Sequence, residues 1–321
     1  MQKYLPYISK KIKITVYEKM RKIDLVLNDY NQKKKNFFTH LKFLKYLSKS
    51  KVYVTPSGLV CHQPTVNAKK SLNVWSKNIF SKKIDTKKRK YSSLNPIMMS
   101  RHYYSALFFK KYLKKNSSFC DFGTGEGNFL FELFKIRNDL KMFYVEDSKI
   151  NYNLVKKNFK INFNKKIDGF NGSIEEFDKN NKIKLFDNAT LIWTLCNCVD
   201  PINVLKSIHK SLNKNGLLLI AESSRIMVPF KKPINNFFNS KIETKNTHPW
   251  FFSFNSLSNL LEVSGFKVID FNRYYDENDL VVIAKKIDSK LYKPKLKFEN
   301  PKKVIKFLKL WKSNSNHLNN L

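Results

Sequence analysis

Asp121, Gly123, Gly125 and Gly127 stand at spacings of two in the stretch SSFCDFGTGEGNFL, residues 117–130. Phe119, Cys120 and Phe122 make an apolar, β-favouring run with Asp121 near its carboxyl end, and the glycines follow at once. Without a Cβ they let the chain turn sharply and let a ligand reach the main chain, while the free N–H groups of the next helix point at it. That is the chemistry of a nucleotide cradle. A dinucleotide fingerprint would need another glycine where Asn128 stands, and a P-loop would need Gly-Lys-Ser/Thr, which is absent. About twenty residues further on, Glu146 closes the run KMFYVE, where an alternating βαβ arrangement sets a carboxylate beside a bound ribose and lets it accept both hydroxyls.

The pattern Asp-x-Gly-x-Gly-x-Gly resembles motif I of the class I S-adenosylmethionine-dependent methyltransferases. The resemblance implies S-adenosylmethionine as cofactor, with Asp121 near its cationic amino end, Gly123, Gly125 and Gly127 around that end, and Glu146 on the ribose. No phosphate lies there for an acid to repel. In that family the loop after the third strand holds adenine, and Ser173 and Ile174 are the positional matches, although the usual Asp is missing. The order of fourth strand, acidic loop, Asp200-Pro201 helix, Asn215-Gly216 and apolar strand is similar to small-molecule methyltransferases, with Cys196-Asn197 where that loop commonly carries Glu-His. Residues 248–265, HPWFFSFNSLSNLLEVSG, resemble a segment of the sugar C-methyltransferases, and His248 falls on the histidine proposed there as general base. A histidine near neutral pKa can take the proton that an acceptor loses on methylation; equally, His248 can serve as a hydrogen-bonding residue of its loop. The Glu, the Tyr and the cysteine-rich zinc module of that group have no counterpart here.

These residues need a scaffold, and the pattern supplies one. Runs at Lys141–Glu146, Asp168–Ser173, Phe186–Leu195, Gly216–Glu222, Phe266–Phe271 and Leu280–Ala284 read as strands beside the one at 119–122, seven in all. Helices are expected over Arg101–Lys115, Ser148–Phe163, Pro201 to a cap at Asn215-Gly216, and Asn255–Ser264 with Gly265 beyond it. The first 50 residues read as helical, with Leu41, Phe43, Leu44 and Leu47 at helix spacing, followed by a short strand at 52–54 and a turn at 55–58. Residues 65–100, with Trp75, Ile79 and Phe80, read as an irregular connection. The expected architecture is α/β, a Rossmann-like seven-stranded methyltransferase sandwich over 101–287, with a helical N-terminal extension over 1–100 that covers the acceptor. A short basic C-terminal tail follows over 288–321, where Val304, Phe307, Leu308 and Trp311 repeat at helix spacing.

With 321 residues the chain can bury a full core in roughly one to two domains. Sixty-one Lys and Arg against 25 Asp and Glu give a formal charge of +36, a field that would favour nucleic acid or another polyanion. Lysine is spread over nearly every segment, however, and the runs Lys33-Lys34-Lys35 and Lys87-Lys88-Arg89-Lys90 lack the aromatic interleaving of a single-strand binding face. Nucleic acid is therefore not the favoured partner. Cys61, Cys120, Cys196 and Cys198 form no disulfide framework in a chain this long, and Cys61-His62 lacks the further ligands of a zinc site, so no metal is expected. No run of about eighteen apolar residues occurs, nor a signal-peptide core, so the expected setting is the cytoplasm, with no membrane span.

The function these features imply is methyl transfer from S-adenosylmethionine to a small polar acceptor, a sugar or a relative of one. Two alternatives follow from particular features: an RNA-directed methyltransferase or RNA-binding relative, from the charge, and a catalytically inactive scaffold of the same fold, from Cys196-Asn197. The acceptor itself is not named by a fold.

Overall fold

Phe119, Cys120 and Phe122 are all fully buried, and they point alternately to opposite faces of their strand, so that strand needs cover on both sides. A computed structural model supplies it; the structure describes residues 22–33, 35–45, 51–63, 96–180, 185–223, 225–228, 233–234, 238, 248–272, 279–288 and 292–318. In chain order the strands are β1 (Thr39–His40), β2 (Lys51–Val54), β3 (Val60–Gln63), β4 (Ser118–Phe122), β5 (Lys141–Glu146), β6 (Asp168–Asn171), β7 (Phe186–Ile192), β8 (Leu212–Glu222), β9 (Trp250–Phe251), β10 (Phe266–Phe271) and β11 (Leu280–Lys286).

Among the described residues seven strands form one sheet in the order β10-β11-β8-β7-β4-β5-β6. The five from β4 to β8 run parallel, and β11 and β10 close the sheet antiparallel. One face carries Cys120, Phe122, Leu191, Leu218, Ile220 and Val282 in a core shared with helices Ile174–Asn180, Pro201–Lys210 and Phe254–Val263. The opposite face carries Phe119, Tyr144, Leu219, Val281 and Ile283 against helices Pro96–Lys110, Asn128–Ile136 and Lys149–Phe163. This is the expected α/β sandwich. The chain builds β5 and β6 on one side of β4 and then crosses to lay β7 and β8 on the other. Ligands of such sheets bind at the carboxyl edge beside that reversal.

A second, antiparallel sheet of order β1-β2-β3-β9 joins the N-terminal segment to residues 223–253, an insertion between β8 and the last helix and strands of the large sheet. Its own core holds Val52, Val54, Val60, Phe251, Ile226, Ile234 and Phe238, and the C-terminal helix Pro301–Leu318 adds Val304, Leu308 and Trp311 to it. The basic tail thus packs back through its apolar stripe.

Three expectations need correction. The helical extension holds over Lys22–Asn31, but over 41–45, the described part of the Leu41–Leu47 pattern, the structure has a 3₁₀ turn, Lys42–Leu44, running toward β2. There Leu41 donates its N–H to Val52 O and both Leu41 and Leu44 face the small sheet, so pairing with β2 overrides helix spacing. The cap expected at Asn215-Gly216 lies inside β8: the helix ends at Lys210, with Ser211 Oγ donating to Ser207 O, and Asn215 at φ +62 sits where the β7–β8 register slips from Phe186/Leu212 to Asn188/Leu217. Asn tolerates that left-handed geometry better than most residues, which makes a bulge look like a cap. The helix expected at 101–115 spans Pro96–Lys110, crossing the proposed boundary at residue 100.

The connection at 65–95, with Trp75, Ile79, Phe80 and the run 87–90, lies outside the described residues, as do Lys34, Leu47 and most of the insertion. Among the described residues no helix is long and apolar enough to cross a membrane.

Candidate functional site

The turn after β4 is tied to the next strand, since the N–H groups of Gly123 and Thr124 both donate to Val145 O, at 2.9 and 3.2 Å. Gly123 takes φ +66, and a Cβ there would lie 2.7 Å from Thr194 Cγ2, so the position excludes any side chain. Gly125, at φ +56, differs: a Cβ would meet nothing within 4 Å. Its bare main chain borders open space, which is where a ligand would approach. Gly127 is the N-cap of the following helix, where a Cβ would crowd Val155 and that helix's own Phe131.

Two carboxylates frame this turn. Asp121 is 1% exposed and accepts the hydroxyls of Thr124 and Thr190, one on each oxygen, both at 2.5 Å. Burial pushes its pKa up to about 6, against the lowering effect of the two hydroxyls. Glu146 Oε2 accepts the Gly125 N–H at 2.7 Å and Oε1 the Ser148 N–H at 2.9 Å. Burial raises its pKa to about 7, opposed by those N–H bonds. The structure therefore brings Asp121, the three glycines and Glu146 into one unit, with Asp121 bracing the turn from beneath and Glu146 holding it from the side.

Ser173 and Ile174 lie one strand further out. Ser173 Oγ accepts the Glu176 N–H while its own N–H donates to Glu176 Oε2, a reciprocal helix cap, and Ile174 is 7% exposed in the core. His248 stands two residues before Trp250, on the other side of the edge. It is half-buried, and desolvation lowers its pKa to about 4 instead of the near-neutral value expected of a general base, so the ring is neutral at pH 7 but a weaker proton acceptor than the sequence suggests. Trp250 ties this segment to the loop after β7, its Nε1–H donating to Cys198 O at 2.7 Å.

The sequence marked that loop by Cys196-Asn197 but not the residue that holds it, Glu222. Leu195 and Cys196 donate their N–H groups to Glu222 Oε1 at 2.9 and 3.3 Å, and Cys196 also reaches Oε2 at 3.3 Å. Glu222 is fully buried at the end of β8, and burial pushes its pKa up to about 8. Asn197 Nδ2 donates to Trp193 O at 2.8 Å, and Thr194 Oγ1 to Gly123 O at 3.3 Å. Cys196-Asn197 thus shapes the loop, while burial raises the Cys198 thiol and makes it a poor nucleophile. The signal was an acid closing the otherwise apolar run GLLLIAE. The His102 ring, on the helix Pro96–Lys110, lies tilted at 46° against that of Trp193, the first residue beyond β7, with 4.5 Å between centroids.

A family model described as a methyltransferase domain matches residues 100–270, more than half of the chain. A protein of Nostoc punctiforme described provisionally as an O-methyltransferase superposes with a TM-score of 0.50 at 16% identity, over 61% of this chain and 59% of its own. Mitomycin 7-O-methyltransferase does so with a TM-score of 0.50 at 13% identity, over 61% of this chain and 56% of its own. The chain thus spans less than two thirds of either neighbour, and at these identities the likeness is one of fold. No curated protein matches the sequence.

Proposed function

We propose that this chain, which belongs to the methyltransferase-domain family, transfers a methyl group from S-adenosylmethionine to a small polar acceptor, a sugar or a related metabolite. The observation that carries the reading is the cradle at Gly125, an open main-chain bend whose N–H is held by Glu146, at the carboxyl edge beside the strand-order reversal. A sulfonium nucleoside fits that chemistry, since its hydroxyls suit Glu146 and its cationic end suits a site braced by a carboxylate.

When bound, S-adenosylmethionine supplies a methyl group on a positively charged sulfur, open to attack in line with the breaking bond. Glu146 would accept the ribose hydroxyls. Gly123, Gly125 and Thr194 would shape the passage for the methionyl end, with the Asp121 charge behind it. The loop Gly172–Ile174 would border adenine, Ile174 from the core side and Ser173 through its capped backbone. His248, neutral at pH 7, would receive the acceptor proton as the new bond forms, and the small sheet that carries it would exclude water. Positioning of the two reactants would supply most of the rate.

Isothermal titration of the full chain with S-adenosylmethionine, S-adenosylhomocysteine and NAD tests the reading. Saturable binding of the first two and none of NAD supports it. Binding of none of them, or of NAD alone, overturns it.

A further inference from the structure

His102 Nδ1 and Trp193 Nε1 are buried polar atoms with no hydrogen-bond partner among the described residues, and they belong to neighbouring rings, 4.5 Å between centroids. His102 is 5% exposed. Leaving one such group unpaired costs about 1–3 kcal/mol, so two on adjacent rings mark a place where the fold accepts a loss that a ligand would recover. Trp193 also carries φ +52, unusual for a bulky residue, and is held there by its own N–H on Ala221 O at 2.7 Å and by Asn197 on its carbonyl. A strained backbone fixed from both sides aims a side chain.

The location narrows the ligand. Trp193 is joined to Thr194, whose side chain touches the Gly123 turn, so the ring pair stands at the methionyl side of the cradle. The indole N–H can only donate, and a neutral imidazole donates from Nδ1 in one of its tautomers. Two donors call for an acceptor oxygen. The nearby acids do not oppose an anion: Asp279 is paired with Arg101 at 3.4 Å, and burial keeps Glu222 protonated at neutral pH.

We infer that His102 and Trp193 receive the α-carboxylate of the methionyl moiety, an inference that rests on the proposed function and adds two binding residues to it. Asp121, buried beneath the turn with both oxygens on threonine hydroxyls, then lends its charge from behind to the ammonium of the cofactor's amino acid end, while the ring donors take its carboxylate directly.

The test is a binding cycle by isothermal titration, using S-adenosylmethionine and its decarboxylated form against the wild type, His102→Phe and Trp193→Phe. Both variants keep a ring in place and remove the nitrogen. The expected result is a loss of about 5- to 20-fold for S-adenosylmethionine in each variant, with less than a twofold change for the decarboxylated ligand. Equal losses for the two ligands, or none for either, overturn the inference while the proposed function stands. Failure of the wild type to bind either ligand removes both. Should one variant fail to fold, the other gives the same reading.

Discussion

Glu146 Oε2 and the Gly125 N–H are 2.7 Å apart, so the acid that ends β5 is bonded to the turn that follows β4 before any ligand arrives. The same carboxylate takes the Ser148 N–H on its other oxygen, which fixes its plane. A side chain held this way does not have to be ordered when it accepts ribose hydroxyls, and that preorganisation is a source of affinity. Glu146→Ala is expected to weaken S-adenosylmethionine binding by about 10- to 100-fold, the range for losing hydrogen bonds to a charged group. Titration calorimetry reads it directly. An unchanged affinity would remove Glu146 from the site.

The glycines of the turn separate stability from binding. At Gly125 an alanine Cβ would meet no atom of the described residues within 4 Å, so its cost to the fold is the left-handed backbone alone, about 1 kcal/mol and about 2–4 °C in Tm. That methyl group would project into the cradle, and Gly125→Ala is expected to lose tenfold or more in cofactor affinity. Gly123→Ala adds a 2.7 Å clash with Thr194 Cγ2 to the same backbone strain, and its Tm should fall at least twice as far. Equal Tm changes in the two variants would contradict this division.

What the sequence made legible follows from how local each signal is. The strand, the glycine turn and Glu146 depend on neighbours a few residues away, and all are where their pattern puts them. Gly265 caps its helix at φ +90 for the same reason. The small sheet was not legible, because β3 pairs with β9 across nearly two hundred residues and neither is long enough to carry a periodicity. Glu222 and His102 were missed on similar grounds. Their partners, the N–H groups of Leu195 and Cys196 and the ring of Trp193, come from distant segments brought to one edge by the parallel sheet. Asp121 was legible in position but not in bonding, since Thr190, which takes one of its oxygens, lies on β7.

His248 divides binding from turnover. It sits on the segment tied to Cys198 O through Trp250, on a different element from Asp121, the glycines and Glu146, so replacing it should leave the cofactor site alone. His248→Gln is expected to bind S-adenosylhomocysteine within twofold of the wild type. Methyl transfer from labelled S-adenosylmethionine to a metabolite extract, followed by mass spectrometry, should fall by about 10²- to 10⁴-fold, the range for loss of a general base. Retained transfer would assign His248 to its loop alone.

The buried acids fix how stability responds to pH. Glu222 at about 8 and Glu146 at about 7 both stand above the ordinary 4.5 of an unfolded glutamate, so the folded chain holds protons that the unfolded chain releases. Their contribution is complete below about pH 4.5 and is lost as pH rises through those values. His62, His102 and His248 act in the opposite sense: burial lowers them to about 3, 4 and 4, so their contribution is present above 6.5 and is lost as pH falls. Above pH 6.5 the histidines add no slope, and Tm should decline toward pH 9 by about 3 °C or more. Glu222→Gln keeps an oxygen for the Leu195 and Cys196 N–H groups but has no proton to lose, so its decline should be visibly shallower. Scanning fluorimetry of the two proteins from pH 6 to 9 measures the difference. Parallel curves would mean that Glu222 is not protonated in the fold, and the loop after β7 would then be held by a buried carboxylate instead of a neutral acid.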